Sequence, residues 1–467
     1  MLLIGRRKIY TPYEKIDDTN VLEVVGISSL IHFDNAWQEE YLINYVRGVQ
    51  PILGRIKEIR PEINNKIVEN HAYEIMKFKT GYLLPKPIDY IARKDEVDGD
   101  ELGLLNDYMG MVDKESKDKE TVNMMSNVGV AVRGVFPNPN HNFAPRETAP
   151  FKLYNIDPRT AFVVYSGDDM PIMGVVIYMY KRVSDGEFVK RFQCYTDKMY
   201  YEIEDDLIIK KEPHILGMIP IIEYPNNDER MGDFEPVIPL LDAINLTQSN
   251  RLDGVEQFIQ SLLVFKNVDI DDEAIERLRK IGAIKVKDNG ELVANVSYLV
   301  QELNQEQVQK LVDCMYDVVL RICGMPQRNG GSSTSDTGSA VYLRDGWGDA
   351  ETRACDTELV FKTSERVVLK LAIKISRGVA GTLINLYASD IEIKFTRRNY
   401  ENILQKAQVL TTLLSNDKIA PRLAFVSCGL FNDPESAYEE SYEYYKTLTA
   451  EQIAREEANK QANGGQS

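Results

Sequence analysis

Several groups of residues are of types that could do chemistry. Gly129-Val130-Ala131-Val132-Arg133-Gly134 has the glycine spacing of a phosphate-binding loop, which would wrap backbone N–H groups around a nucleotide. Val135 and Phe136, however, stand where a lysine and a hydroxyl must reach phosphate and magnesium, so the segment reads as a β-strand. Asp269, Asp271, Asp272 and Glu273 could hold magnesium, the arrangement a metal-dependent phosphodiesterase would need; at the entry of a helix the same carboxylates favour the positive end of its dipole, and capping is the preferred reading. Asp95 to Glu101 looks like a calcium loop, but with Gly99 at its sixth position Lys94 falls where the first Asp ligand belongs. His32, His71, His141 and His214 are scattered, with no H-E-x-x-H to hold zinc, and read as structural. The serines from Ser332 to Ser339 lack the G-x-S-x-G elbow that would expose a nucleophile. Nothing in these groups builds an enzyme active site, and no cofactor is expected.

The elements that carry these residues follow from periodicity. Ile63, Ile67, Val68, Ile75, Met76 and Phe78 recur at helical spacing from Pro61 to Lys79, and Gly81 follows as a stop, predicting one helix there. A strand or loop comes next near Pro87 to Ile91, and Gly99 to Ser126 reads as helical. From Val128 to Tyr224, β-branched and aromatic runs (Ala161 to Tyr165, Gly174 to Tyr180, Phe188 to Tyr195) alternate with turn clusters such as Ser166-Gly167-Asp168-Asp169 and Ser184-Asp185-Gly186, predicting antiparallel hairpins. A helix starts at Glu235 with Val237, Leu241, Ile244, Val255, Phe258 and Leu262 on one side, and Pro236 sits near its start, where a missing N–H costs least. A second amphipathic helix starts near Gln305 with Val308, Leu311, Val312, Met315, Val318, Val319 and Ile322 on one face. Between them, Val264 to Leu303 carries strand-like pieces at Ala283 to Val286 and Leu292 to Val296.

Asn329 to Ser339 contains no apolar side chain, so it cannot pack a core; it is either a plain connector or a segment that meets something polar. Ala340 to about Tyr387 is proline-free and predicts a helix on the order of 70 Å long, with a kink at Gly346-Trp347-Gly348. A strand from Ile391 to Thr396 follows, then shorter helices, one from Asn399 to Ser415 and the last from Pro434 to about Ala458, and a tail ending Gly464-Gly465-Gln466-Ser467. No repeat recurs at a fixed period.

Charge narrows the function. The 467 residues hold 72 Asp plus Glu against 55 Lys plus Arg, a formal charge of −17, which argues against gripping nucleic acid over a broad basic face. Such a length predicts two to four domains. The cysteines Cys194, Cys314, Cys323, Cys355 and Cys428 form no C-x-x-C pair and read as reduced thiols of a protein made in a cytoplasm. The start, Met1-Leu2-Leu3-Ile4 before Arg6, Arg7 and Lys8, is unlike a signal peptide. Met170 to Tyr180, broken by Pro171 and Gly174, is too short for the roughly 20 residues of a membrane span.

The order of several separated blocks resembles the portal proteins of tailed double-stranded DNA bacteriophages, in the siphophage-type branch. Asn70 to Tyr82, ending Lys79-Thr80-Gly81-Tyr82 with Pro87 beyond, is similar to a helix-then-Gly-Tyr block near the family's N-terminus. Ile156-Asp157-Pro158 and Ala161 to Tyr165 resemble its β wing. The most specific block runs from His214 and Gly217 through Ile219-Pro220-Ile221-Ile222-Glu223-Tyr224, Asn226-Asn227 and Gly232-Asp233-x-Glu235 to Leu241-Asp242-Ala243-Ile244-Asn245. Met325-Pro326 with Gly338-Ser339-Ala340, then Phe395-Thr396-Arg397-Arg398-Asn399 and Asp433-Pro434-Glu435, fit the later parts. The likeness covers nearly everything from Asn65 to Tyr445; residues 1–55 match no block.

This resemblance implies an α+β portal fold: an antiparallel β wing, two stem helices bracketing a small α/β clip, a long kinked helix and a helical C-terminal crown. Its parts would be an N-terminal segment at 1–60, wing at 61–234, stem helices at 235–263 and 305–325, clip at 264–304, tunnel loop at 326–339, long helix and adjoining parts at 340–434, and a short crown and tail at 435–467. It implies a homo-oligomeric ring, usually of twelve subunits, at one vertex of the capsid in the virion. Double-stranded DNA would pass through without sequence specificity, and the terminase large subunit, the head-to-tail adaptor, scaffolding protein and major capsid protein would be partners, with no membrane involved. Asn329, Gly330, Gly331, Ser332, Ser333, Thr334, Ser335 and Asp336 would be at or near the tunnel loop, and Arg277, Arg279, Lys280, Lys285 and Lys287 would be partner-binding charges on the clip. Beside the metal-dependent phosphodiesterase, a non-viral helical scaffold that dimerises through the long helix is the competing reading.

Overall fold

The computed structural model describes residues 5–93, 99–144, 147–183, 185–259, 262–266, 276, 295–299, 305–327, 346–378, 384–397, 403–416, 418–431 and 434–447. Helices and strands both occur among the described residues, with most strands gathered between residues 130 and 225, so the chain is α+β rather than an alternating α/β protein. The described residues form two compact units interleaved along the sequence. One draws on 1–79, 120–136 and 152–325, the other on 80–119, 137–151 and 326–467.

In the first unit a six-stranded sheet has the order Ile9–Tyr10, Ala161–Tyr165, Pro171–Lys181, Phe188–Tyr195, Met199–Glu204, Leu207–Pro213. Its first pair is parallel, Ile9 opposite Val164, and the rest are antiparallel hairpin neighbours. The continuous apolar run Ala161-Phe162-Val163-Val164 has a simple cause. Side chains alternate across a strand, so Phe162 and Val164 face Val21, Val24 and Val25 of the helix Val21–Val46, while Ala161 and Val163 face Val132, Ile219 and Ile221. Both faces are covered there, so both parities must be apolar. The second cover is a three-stranded sheet in the order Ile221–Pro225, Val130–Pro137, Phe151–Ile156. Gly174 permits its close approach: a Cβ at that position would lie 2.5 Å from Ile221 Cβ.

The same unit holds two helices, Ile238–Ile259 and Gln305–Cys323, packed against each other. Leu241 and Ile244 of the first meet Val312, Val319, Leu320 and Cys323 of the second in one core with Leu42, Tyr45 and Phe234. A short 3-10 turn, Glu235–Val237, leads into the first helix. The expected apolar side is shorter than its sequence pattern: Val255 is 40% exposed, and Leu262 has left the helix to begin a strand.

The second unit is built around the helix Trp347–Arg377, about 46 Å long at 1.5 Å per residue. Of the helix expected from Ala340 to Tyr387, the described part runs from Trp347 to Arg377, and residues 384–387 are not helical. Gly346, with φ 82°, caps the N-terminus of this helix and Gly378 closes it, while residues 340–345, on the other side of the expected kink, lie outside the described residues. A strand pair, Asp89–Ala92 with Ile391–Lys394, runs antiparallel beside it. The helical segment expected from Gly99 to Ser126 is two helices, Gly99–Met111 and Lys114–Val128, divided at Asp113, where φ is 53°. The C-terminal helices Ile403–Leu414 and Pro421–Cys428 pack on each other, and a further helix occupies 434–447.

One expected helix is displaced. Residues 61–70 are not helical; the helix is His71–Leu83, and Gly81 lies inside it. The apolar spacing from Ile63 onward is real, but the backbone N–H groups there are taken by side chains of a neighbouring helix. Among the described residues no helix is long and apolar enough to cross a membrane.

Candidate functional site

The paired helices of the first unit are the candidate working part, because each continues into one strand of an antiparallel pair. The chain leaves the first helix at Ile259, forms the strand Leu262–Lys266, and returns through the antiparallel strand Asn295–Leu299 before entering the second helix at Gln305. The ladder pairs Leu262 with Leu299 and Lys266 with Asn295. The helices are tied just below it, where Arg251 Nε donates to Gln305 Oε1 at 2.7 Å and its Nη1 donates to Gln309.

A polar seam fixes the first helix to the extended segment before His71. Asn245, Ser249 and Asp253 lie four residues apart on one helix face and are all buried. They accept the backbone N–H groups of Glu69 at 2.8 Å, Ile67 at 2.9 Å and Asn65 at 2.8 Å. The match is geometric: four helical residues rise about 6 Å, close to the ~6.6 Å of two extended residues. Ser249 Oγ also donates to the Asn245 carbonyl, and Gln50 Oε1 accepts from Asn245 Nδ2. Burial alone would raise the Asp253 carboxyl, but Lys57 and the Asn65 donors outweigh it and hold the group below the usual carboxylate range.

At the foot of this helix, the most specific sequence block forms a tight joint. Asn226 donates from Nδ2 to the Met231 carbonyl and to Asp233, and its backbone N–H donates to Gly129 O. Gly129 has φ 86°, and a Cβ there would lie 2.1 Å from Arg230 O. The first glycine of the apparent phosphate loop is therefore a packing glycine, and the rest of that motif is the strand Val130–Pro137. Glu235 accepts the Gly232 N–H with one oxygen and binds Arg6 at 2.5 Å with the other. Arg6 also donates to Gln38 and to the Val128 carbonyl. Nearby, Arg133 is fully buried and donates to Asn155 and Thr121, with its guanidinium 5.1 Å from the Tyr224 ring centre.

The second helix ends in a backbone device. Met325 N–H bonds to Leu320 O at 2.8 Å and Gly324 N–H to Arg321 O at 3.1 Å, with Gly324 at φ 60° and Met325 buried. This stop, followed by Pro326, explains the Met325-Pro326 block and aims the chain into residues 328–345. In the second unit, Arg397 plays a comparable part, binding Glu351 at 2.8 Å and also Glu358 on the long helix, while Phe395 packs edge-on against Phe361.

The histidines act as packing and hydrogen-bonding groups. His32 stacks on Phe162 and meets Arg159 O at 3.0 Å; burial pushes it down to about 4. His71 lies between Glu69 and Glu74, whose hydrogen bonds outweigh its burial and raise its proton affinity. His141 and His214 bond to the Thr148 and Thr196 carbonyls. Cys194, Cys323 and Cys428 are buried, Cys314 and Cys355 exposed, and all five are free thiols.

The side chains singled out from sequence for DNA passage and partner binding are not brought together by the described geometry. Asn329, Gly330, Gly331, Ser332, Ser333, Thr334, Ser335 and Asp336 lie outside the described residues, as do Arg277, Arg279, Lys280, Lys285 and Lys287 and the acidic cluster Asp269 to Glu273. What sequence reasoning missed is the scaffold beneath them: Asn245, Ser249, Asp253, Arg6 and Arg133. For the first three, a four-residue polar spacing inside an amphipathic helix is the signal that could have found them.

The described elements fix an α+β protein with two paired helices joined by an antiparallel strand ladder. The chain belongs to the phage portal protein family of the SPP1 Gp6-like type, whose model matches residues 31–463. It is also 24% identical over 289 residues to the portal protein of Bacillus phage SPP1, covering 56% of this chain and 54% of that one, so the match spans about half the length of that relative.

Proposed function

We propose that the protein is the portal of a phage capsid: many copies close into a ring at one vertex, and DNA enters and leaves through its opening. The observation that carries this reading is the family match across residues 31–463. The architecture supports it. Residues 235–263 and 305–325 act as stem helices, 264–304 as the clip that meets the terminase large subunit during packaging and the head-to-tail adaptor afterwards, and 61–234 as the wing. Residues 340–434 and 435–467 supply the long helix and a short crown, and scaffolding and major capsid proteins are the partners during assembly. The polar seam along Asn245, Ser249 and Asp253 suits a helix that must stay straight under load.

Passage explains the chemistry of residues 329–336. Duplex DNA carries one negative charge per roughly 1.7 Å, so lysines or arginines at a constriction would stall it. An acidic chain with a small, hydroxyl-rich loop leaves only weak, sequence-blind contacts from Ser332, Ser333, Thr334 and Ser335. Replacing these four by Lys slows packaging and ejection in a single-particle assay; unchanged rates would remove the loop from the channel. The charges Arg277, Arg279, Lys280, Lys285 and Lys287 serve docking. Reversing them weakens terminase stimulation and adaptor binding, measured separately, and retention of both would dismiss this role.

A further inference from the structure

Within the first unit, a small cavity lies where the segment around Arg6 meets the helix Val21–Val46, and two polar atoms there are not satisfied by the protein itself. Arg6, on the segment, and Glu39, on the helix, both line this cavity and are each 3% exposed. The two terminal nitrogens of Arg6 are taken, Nη1 by the Val128 carbonyl and Nη2 by Gln38 and Glu235. Its Nε–H is left over, and so is Oε2 of Glu39; both atoms are buried, and neither meets a hydrogen-bonding group among the described residues. Buried polar groups are paired in the great majority of cases, and those without a protein partner are the ones that ordered water serves.

Size and charge select the ligand. The cavity measures about 20 Å³, and one water needs roughly 10–15 Å³ of such space, so a single molecule of that size fits. The arginines in the lining are already compensated, Arg6 by Glu235, Arg7 by Asp34 and Arg230 by Glu223. Burial pushes the Glu39 carboxyl up to about 8 and holds His32 down near 4, so both are largely uncharged at neutral pH. An ammonium ion cannot accept from Arg6, and a halide finds no uncompensated cation. Water accepts from an Nε–H and also bonds a carboxyl group in either protonation state.

We infer that this cavity is a binding site for one ordered water molecule, which accepts from Arg6 Nε and hydrogen-bonds the Glu39 carboxyl. It joins the helix Val21–Val46 to Arg6 at the point where Arg6 grips Glu235, and so completes the joint at the start of the first paired helix.

The test is a crystal structure of the full chain at neutral pH, at a resolution that shows ordered water, with a second data set from crystals soaked in bromide. The expected result is one peak in the cavity, within about 2.7–3.2 Å of both Arg6 Nε and a Glu39 carboxyl oxygen and without the anomalous signal of bromide. Glu39→Leu, which removes the polar group but keeps an aliphatic side chain there, loses the peak, and Glu39→Gln keeps it. An empty cavity, a peak that misses either atom, or a peak unchanged in Glu39→Leu or lost in Glu39→Gln overturns the inference. A bromide signal in the cavity overturns it in favour of an anion site. If Glu39→Leu fails to fold, the maps of wild type and Glu39→Gln decide alone.

Discussion

Lys114→Met lowers the stability of the protein by about 3–5 kcal/mol, the usual cost of removing one partner from a buried ion pair. Lys114 is buried in the second unit between two carboxylates, Asp118 at 2.5 Å and Glu365 at 3.1 Å. Glu365 is fully buried in the middle of the long helix and accepts the Tyr90 hydroxyl at 2.7 Å. The cluster therefore joins the long helix, the helix Lys114–Val128 and the strand Asp89–Ala92 through one cation. Methionine keeps the stem of the side chain but removes from a dry site a cation that both carboxylates contact. Scanning calorimetry at fixed protein concentration measures the change. A double-mutant cycle of Lys114→Met with Asp118→Asn shows a coupling energy of about 0.5–3 kcal/mol, as expected for two groups in direct contact. A loss below about 1 kcal/mol for Lys114→Met would show that this cation does not organise the site.

Glu39→Gln has an effect of similar size and opposite sign, which builds above the ordinary carboxylate range and is complete above about pH 8. Glu39 is buried beside a cavity of about 20 Å³ lined in part by Arg6, Arg7, His32, Asn35, Glu223 and Arg230. Burial pushes its carboxyl up to about 8; Arg6 and Arg159 pull the other way, and Asp157 and Glu223 add to the rise. The folded state thus holds a proton that the unfolded chain releases near the ordinary carboxylate range. Stability from this group is complete below that range and declines as pH rises to about 8, by about 1.4 kcal/mol per pH unit. His32, held down near 4, works the other way: its contribution is lost as pH falls from the usual imidazole range toward 4. The two slopes oppose each other in mildly acid solution, and between about pH 6.5 and 8 only that of Glu39 remains. At pH 9, Glu39→Gln is more stable than wild type by about 2–4 kcal/mol, and at pH 5 the advantage is gone. Denaturant titrations at both pH values check this; equal stabilities at pH 9 would place the Glu39 proton affinity in the ordinary range.

Much of the fold was legible because local signals and tertiary packing agree. The runs Ala161 to Tyr165 and Phe188 to Tyr195 are strands to the residue, and the second paired helix starts and ends at Gln305 and Cys323, where its amphipathic pattern places it. The displaced helix has a physical cause. Between Ile63 and Glu69 the apolar spacing is helical, yet Asn245, Ser249 and Asp253, nearly two hundred residues away, supply hydrogen bonds that hold the segment extended. Local periodicity cannot register such a competitor. The motif blocks were found as strings, and their physical meaning is joint-making: Glu235 holds Arg6, Gly324 and Met325 stop a helix, and Arg397 grips Glu351 and Glu358.

The joints also relate fold to task. The conduit proposed above would have to hold its walls while a charged polymer slides through, and buried polar ties such as the seam and the Lys114 cluster give fixed geometry where apolar packing alone permits sliding. The direct measurement is electron microscopy of the purified full-length chain, in which projections need no prior model. The account predicts closed rings of subunits surrounding an open centre wide enough for a DNA duplex. Compact single or paired particles with no hole, under every assembly condition tried, would contradict it.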